Sequence, residues 1–403
     1  MRAFLVATFR LAVRIFYRRV EVVGLENVRS DRAIVFAVNH PNGLVDPLFV
    51  LCFAPRRVSF LAKAPLFHYF FIGWIVRMFD SIPVFRKQDE VTGSNRETFA
   101  RAREILAGGG SIAIFPEGTT HSDPQLHPLK TGVARIALGA SLPSLDVVPV
   151  GIYYTEKQTF RSNALVVFGA PIAVTPEPVD ESGEPRHESV EELTARIDEG
   201  LDAVTLQADS HAALELIARA EDIFSGDASH SIAEEFELRR QFVEGYHYLR
   251  ERDPLRLAIL EAGIMSVAAP VGGQARAPVL HWMLLPIALV GAAANYATYR
   301  LIGALTNRLS REDEMRATMK FVGALTLYPL TWVAIAALVW WRFGFIAALA
   351  SLIAVPLLGY VALVVFESIA QPRRQDSAEK REAIRDEILA VWNEMGARES
   401  QPS

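Results

Sequence analysis

The sequence predicts an α/β domain, then a helical segment, then a C-terminal transmembrane helical hairpin, in that order along 403 residues. Three observations predict it. Short apolar, β-branched runs alternate with helical stretches from Val20 to Val174, as buried strands covered by helices do. From Glu188 to about Ala262 the chain is rich in Glu, Ala, Leu and Arg at helical spacing. Finally, Phe321 to Trp341 and Phe343 to Phe366 carry no charge, and each exceeds the roughly 20 residues a helix needs to cross a bilayer core.

The totals agree with this division. One hydrophobic core does not usually organise so long a chain. The composition is 51% hydrophobic and 22% charged, with mean hydropathy +0.20, which suits a soluble domain joined to a membrane anchor. A net charge of −5 lacks the basic footprint of a nucleic-acid binder, so no nucleic-acid partner is expected. The single cysteine, Cys52, excludes an intrachain disulfide or thiolate cluster and reads as core filler. No metal centre is expected.

Residues 1–19 alternate apolar side chains with Arg10, Arg14, Arg18 and Arg19, the pattern of a basic amphipathic helix for a membrane surface or of a helix packed on the domain. Within 20–175, strands are expected at Ala33–Val38, Ser111–Phe115, Val147–Ile152 and Leu165–Phe168, with a helix over Asn95–Leu106 stopped by Gly108 to Gly110. Pro176, Pro178, Gly183 and Pro185 mark a linker and domain boundary at 176–187. A helical region of no evident role follows at 188–275, where Glu234 to Arg240 read as a solvated face.

The membrane region covers 276–370, with spans at 321–341 and 343–366 separated by Arg342. A weaker segment, 280–299, contains His281, Pro286 and Asn295. The cations at Arg300, Arg308, Arg311, Arg316, Lys320, Arg373 and Arg374 belong on the cytoplasmic side. A third crossing at 280–299 would put the N-terminal domain outside, so a re-entrant or interfacial role is expected there. Residues 371–403 form a cytoplasmic tail with a charged surface helix over Gln375–Met395.

Four stretches carry chemistry. His40 and Asp46 flank a Pro- and Gly-containing turn directly after a buried strand, where α/β sheets place their sites. Such a pair can take a proton from an alcohol, with the carboxylate orienting the imidazole; the alternative is a loop histidine beside an unrelated helix-capping aspartate. Phe115-Pro116-Glu117-Gly118-Thr119 turns at another strand end, exposing backbone N–H groups. Phe85-Arg86-Lys87 ends an apolar run with two cations, and Lys130-Thr131-Gly132 opens a helix; both suit an anion, or else a surface edge and a plain helix start. The apolar run Phe67 to Val76 suits a membrane or an acyl chain.

In this order the stretches resemble the glycerophospholipid acyltransferases, the PlsC-like enzymes that acylate glycerol 3-phosphate or lysophosphatidate. The resemblance covers about Val20 to Val174. It implies an α/β acyltransferase domain with a mixed sheet and flanking helices, and a catalytic pair His40 and Asp46. It also implies acceptor phosphate binding by Phe85, Arg86 and the motif of Glu117, Gly118 and Thr119, with Lys130 adding charge. The apolar proline motif falls on Val148-Pro149-Val150, with Pro149 in the acyl-donor region. Five residues separate His40 from Asp46, an HX5D spacing where the family usually has four, so the loop has to bulge. Thr120 replaces an arginine common in lysophosphatidate enzymes. Both departures favour glycerol 3-phosphate as acceptor. No cofactor is expected beyond acyl-CoA or acyl carrier protein as co-substrate. The other partners are a glycerol-phosphate acceptor and the lipid bilayer of the cytoplasmic membrane. Alternatives are lysophosphatidate, another lysolipid, an ornithine lipid or a lipid A precursor as acceptor, and a non-catalytic membrane scaffold.

Overall fold

The computed structural model describes residues 1–68, 70–85, 95–180, 184–226, 230–267, 271–272, 279–310, 313–369, 372–373 and 378–399. They form two compact units, Met1–His211 with His230–Glu237, and Ala212–Ser229 with Leu238–Ser403.

The first unit begins with α1 (Arg2–Phe16), β1 (Arg19–Val23), β2 (Ala33–Val38), α2 (Val45–Phe53), β3 (Val58–Lys63), α3 (Phe70–Met78) and β4 (Ile82–Val84). It continues through α4 (Asn95–Ala107), β5 (Ser111–Ile114), α5 (Gly132–Gly139), β6 (Leu145–Tyr154), β7 (Asn163–Phe168), β8 (Ile172–Val174) and α6 (His187–Asp202). The strands lie in the order β1-β7-β6-β2-β5-β3-β4, with β8 beside β6. β6, β2, β5, β3 and β4 are mutually parallel, whereas β7 and β8 run antiparallel to β6. The sheet is therefore mixed, as expected.

Every residue of β2 and β5 is buried, because helices cover both faces. On one face Ala102 and Leu106 of α4, Val133 and Ile136 of α5, and Val190, Leu193, Ile197 and Leu201 of α6 share a core with Val35, Ile112 and Val147. On the other, Phe49 of α2 and Tyr154 of β6 pack around Tyr17, with ring centroids 5.2 and 5.5 Å from it. Sequence composition put a domain boundary at 176–187, and α6 corrects it. Its apolar residues recur at helical spacing and complete the core of the first unit, so the Pro-rich stretch is a loop within that unit.

Of the two readings of the amino terminus, α1 shows the helix packed on the domain. It buries Val13 and Phe16 and is fastened by Arg10 to the Cys52 carbonyl and by Arg2 to Asp80, yet leaves Phe4 and Leu11 exposed. Cys52 itself is fully buried, and burial pushes its thiol up to about 12. Since the thiolate is the reactive form, iodoacetamide at neutral pH is expected to leave Cys52 unlabelled until the protein is denatured, as mass spectrometry of the peptide will show.

The second unit holds α7 (His211–Ser225) from its second residue, α8 (Ile232–Arg252) from Leu238 onward, α9 (Pro254–Ser266), β9 (Val271–Gly272), α10 (Val279–Met283) and α11 (Leu285–Leu309). After these come α12 (Asp313–Phe343), α13 (Phe345–Ile369), β10 (Pro372–Arg373) and α14 (Ala378–Glu399). Phe224, Phe242 and Trp392 stack together, and Arg256 pairs with Glu387 and Glu394. α14 is thus not a free surface helix, because Ile384, Ile388 and Val391 are buried. Nor is the face at Glu234 to Arg240 wholly solvated, since Arg239 reaches the buried Glu221 at 3.1 Å.

α12 and α13 are long and apolar enough to cross a membrane, with mean hydropathy 1.9 over Met315–Phe343 and 2.5 over Phe345–Ile369. Their surfaces remain mostly exposed, as lipid-facing helices are. The break between them is Gly344, at φ +88°, and not Arg342, which stays helical. A left-handed backbone angle suits glycine and ends a helix sharply. The segment expected at 280–299 is two helices, α10 and the 25-residue α11.

Candidate active site

Parallel pairing brings the site together. Ala37 of β2 lies opposite Ile114 of β5, so the residues three positions further on, His40 and Glu117, leave the sheet at the same edge. The His40 N–H donates to Glu117 Oε1 at 2.9 Å. Asn39 holds the other flank, its side-chain amide bonding both the N–H and the carbonyl of Ile152 on β6.

His40 Nδ1 lies 2.8 Å from Asp46 Oδ2. The HX5D loop closes this gap because Asp46 is the second residue of α2, whose first turn folds back so that Asp46 also accepts the Asn42 N–H at 2.7 Å. Asp46 is therefore no helix cap. It is fully buried, and its second oxygen accepts the Tyr154 hydroxyl at 2.6 Å. Burial, then the Asp46 charge, raises the Tyr154 hydroxyl pKa, so Tyr154 stays a donor at neutral pH. The Phe115 ring stacks on the imidazole at 4.1 Å. With Nδ1 occupied, Nε2 is the nitrogen left to meet a substrate proton. A histidine so held can act as a base, and its partner can stabilise the imidazolium.

Glu117 differs from the expectation that it touches an acceptor phosphate. It is 3% exposed, and its oxygens accept the N–H groups of His40 and His127 and also meet the His121 ring. A carboxylate repels phosphate, and both oxygens of this one already bond the protein. Glu117 is a positioning residue. Gly118, at φ +71°, turns the chain directly against the Lys130 side chain, and any Cβ there would collide with the ammonium. Lys130 is thereby held over the motif, with its N–H on the Pro116 carbonyl at 2.9 Å. Thr119 is exposed beside it.

Two expected site residues stand apart. Phe85 is pinned through its backbone by Asn95 at the end of β4, while Arg86 lies outside the described residues. Pro149 is buried in β6, where its ring occupies the space in front of Gly200 and its carbonyl accepts the Gly169 N–H. It contributes to the core of the sheet beside Ala37 of β2. Sequence reasoning missed Tyr154 and Asn39. The Asn before His40 was in plain view, but nothing local tied Tyr154 to a position 108 residues earlier.

Residues 19–153 match the family described as Acyltransferase. They form an acyltransferase-family domain. Over 179 residues the chain is 35% identical to glycerol-3-phosphate O-acyltransferase 1 of Saccharomyces cerevisiae, covering 42% of this chain and 23% of that protein. It is 24% identical over 336 residues to an uncharacterized acyltransferase of Schizosaccharomyces pombe, 60% of this chain and 50% of the other. Over 143 residues it is 32% identical to a chloroplastic 1-acyl-sn-glycerol-3-phosphate acyltransferase of Brassica napus, 35% of this chain and 39% of that one. The matches therefore span at most half the length of these relatives. A crystal structure of the 1-acyl-sn-glycerophosphate acyltransferase PlsC from Thermotoga maritima aligns with TM-score 0.37 and 21% identity, over 50% of this chain and 80% of the other. The acyltransferase domain includes His40, Asp46, Glu117, Lys130 and Pro149; Tyr154 follows its last matched residue.

Proposed function

We propose that the chain transfers a fatty acyl group from an acyl thioester, acyl-CoA or acyl carrier protein, to a hydroxyl of glycerol 3-phosphate, the first acylation toward phosphatidic acid. The observation that supports it most is the bond from His40 Nδ1 to a buried carboxylate inside an acyltransferase-family domain. Acting through Nε2, His40 removes the acceptor proton as the oxygen attacks the thioester carbonyl. The C–O bond forms, the C–S bond breaks, and the proton passes to the leaving thiolate. No acyl-enzyme forms, and Cys52 is buried away from such a role.

Arg86 and Lys130 supply positive charge for the acceptor phosphate. A lost charged contact costs roughly 1.5–3 kcal/mol, so Arg86→Ala and Lys130→Ala are each expected to raise the acceptor KM about 10- to 100-fold while changing kcat much less. Saturation curves in glycerol 3-phosphate and in lysophosphatidate will measure this and rank the acceptors. Preference for lysophosphatidate would move the reaction to the second acylation.

We further propose that the membrane region crosses twice. β9 pairs with β10, and α9 with α14, so the chain enters and leaves this region on one side, which requires an even number of crossings. The named contacts of α10 and α11 agree with this. His281 bonds Ser368, Asn295 bonds Trp332, Thr298 bonds Thr331 and Ile302 packs on Gly323. The contacts toward the two ends, to Ser368 and Gly323, fall on the halves of α12 and α13 remote from the Gly344 turn, and those to Thr331 and Trp332 lie near the middle of α12. α11 is then a re-entrant or interfacial helix, and the arginine-rich connections face the cytoplasm with the acyltransferase domain. Reporter fusions at positions 276 and 308 are expected to report the same side; opposite sides would sink this topology.

A further inference from the structure

Beside the acyltransferase site, one loop gathers three side chains of a different chemistry. His121, Asp123 and His127 each offer one ligand atom, and these three atoms all lie within 4.8 Å of one another. Asp123 Oδ2 is 2.6 Å from His127 Nε2 and 3.8 Å from His121 Nδ1. The two imidazoles lie parallel with centroids 3.6 Å apart, so one ring has to turn for both in-plane lone pairs to meet a single ion.

Two features distinguish this loop from an ordinary pair of surface ion pairs. The Nε2 atom of His121 is held by the buried Glu117 carboxylate. A carboxylate on the far nitrogen is how metal-binding histidines are oriented and made more basic. In the tautomer that donates from Nε2 to Glu117, the lone pair of Nδ1 points inward. That atom is buried with no hydrogen-bond partner, and its neighbour is another acceptor, Asp123. A nitrogen facing a carboxylate at this distance is satisfied by a cation between them, either a proton on Nδ1 or a bound metal ion. A separation of 3.8 Å is near the roughly 3.4 Å between ligand atoms of a tetrahedral zinc.

The loop is also fixed independently of any ion. The His127 N–H donates to Glu117, the His211 ring to the Ser122 carbonyl, the Ala208 N–H to the Pro124 carbonyl and the Leu126 N–H to Gln207. The three ligands are thus presented by an anchored backbone, which lowers the ordering cost of binding.

We propose that His121, Asp123 and His127 bind one divalent d-block cation, zinc best suiting two imidazoles and a carboxylate, with water completing the shell. On binding, Asp123 gives up its bond to His127 and the ion takes the place of that proton. The ion does not touch the acyl acceptor. It fixes His121, His121 fixes Glu117, and Glu117 fixes the His40 N–H. The site is a clip on the catalytic loop, and it stands whichever acceptor the enzyme uses.

The test uses the untagged full chain in detergent, stripped with chelator and titrated with zinc by calorimetry and with cobalt by visible absorption. Expected are one ion per chain, a tetrahedral cobalt band and a raised Tm. The His127→Ala and His121→Ala variants are expected to lose more than about 100-fold in affinity. Asp123→Asn, at a side chain 59% exposed, keeps the fold if the histidine variants do not, and is expected to weaken zinc at least about tenfold. Absence of a stoichiometric site in the wild type, or unchanged zinc affinity in Asp123→Asn, would overturn the proposal.

Discussion

Replacing His40 with alanine is expected to lower kcat for acyl transfer by about 10²- to 10⁴-fold, the usual contribution of a positioned general base, with little change in acceptor KM. The imidazole is 13% exposed, with Phe115 on one face and Asp46 on Nδ1, so its loss opens a small space at the sheet edge and leaves β2 intact. Thermal unfolding should therefore change far less than activity. A parallel collapse of both would mean that His40 holds the loop together. The Glu117 contact argues against that, because it is made by the backbone N–H of residue 40 and survives the substitution.

Asp46→Asn is expected to lower activity to a similar extent, and to act on stability as well. Asp46 is fully buried and takes three donors, from His40, Asn42 and Tyr154. Asparagine keeps the shape but offers one carbonyl oxygen. With that oxygen toward His40 and Asn42, the new NH₂ faces Tyr154, whose hydroxyl must turn from donor to acceptor. Mispairing of this kind costs roughly 1–3 kcal/mol, readable as a lower Tm. Loss of the negative charge removes the stabilisation of the imidazolium, so kcat should fall roughly 10³- to 10⁴-fold. Tyr154→Phe separates the two effects, since it removes the third donor and keeps the charge. A small loss of activity is expected there with a measurable loss of stability.

What could be read from the sequence follows from how local each signal is. β2, β5 and β7 were visible because a strand buried on both faces is a continuous β-branched run. His40 and Glu117 were each legible as turn motifs at the ends of such strands, whereas the bond between them was not. Tyr154 was hidden because it ends an apolar strand, where a tyrosine looks like core, and only the pairing of β6 with β2 shows its hydroxyl reaching Asp46. Glu117 was misassigned since a motif gives a residue's place but not its hydrogen-bond partners. The boundary at 176–187 failed because proline and glycine mark a loop whether or not a domain ends there. The hairpin turn was assigned to Arg342 on charge, whereas backbone geometry selects Gly344.

The most direct measurement is the transfer of a labelled acyl group from acyl-CoA to glycerol 3-phosphate by membranes holding the wild-type chain or His40→Ala, with equal amounts of folded protein. Labelled lysophosphatidate from the wild type and a loss of at least about 10²-fold in the variant is the expected result. Undiminished transfer by His40→Ala would contradict the assignment of His40 as the base.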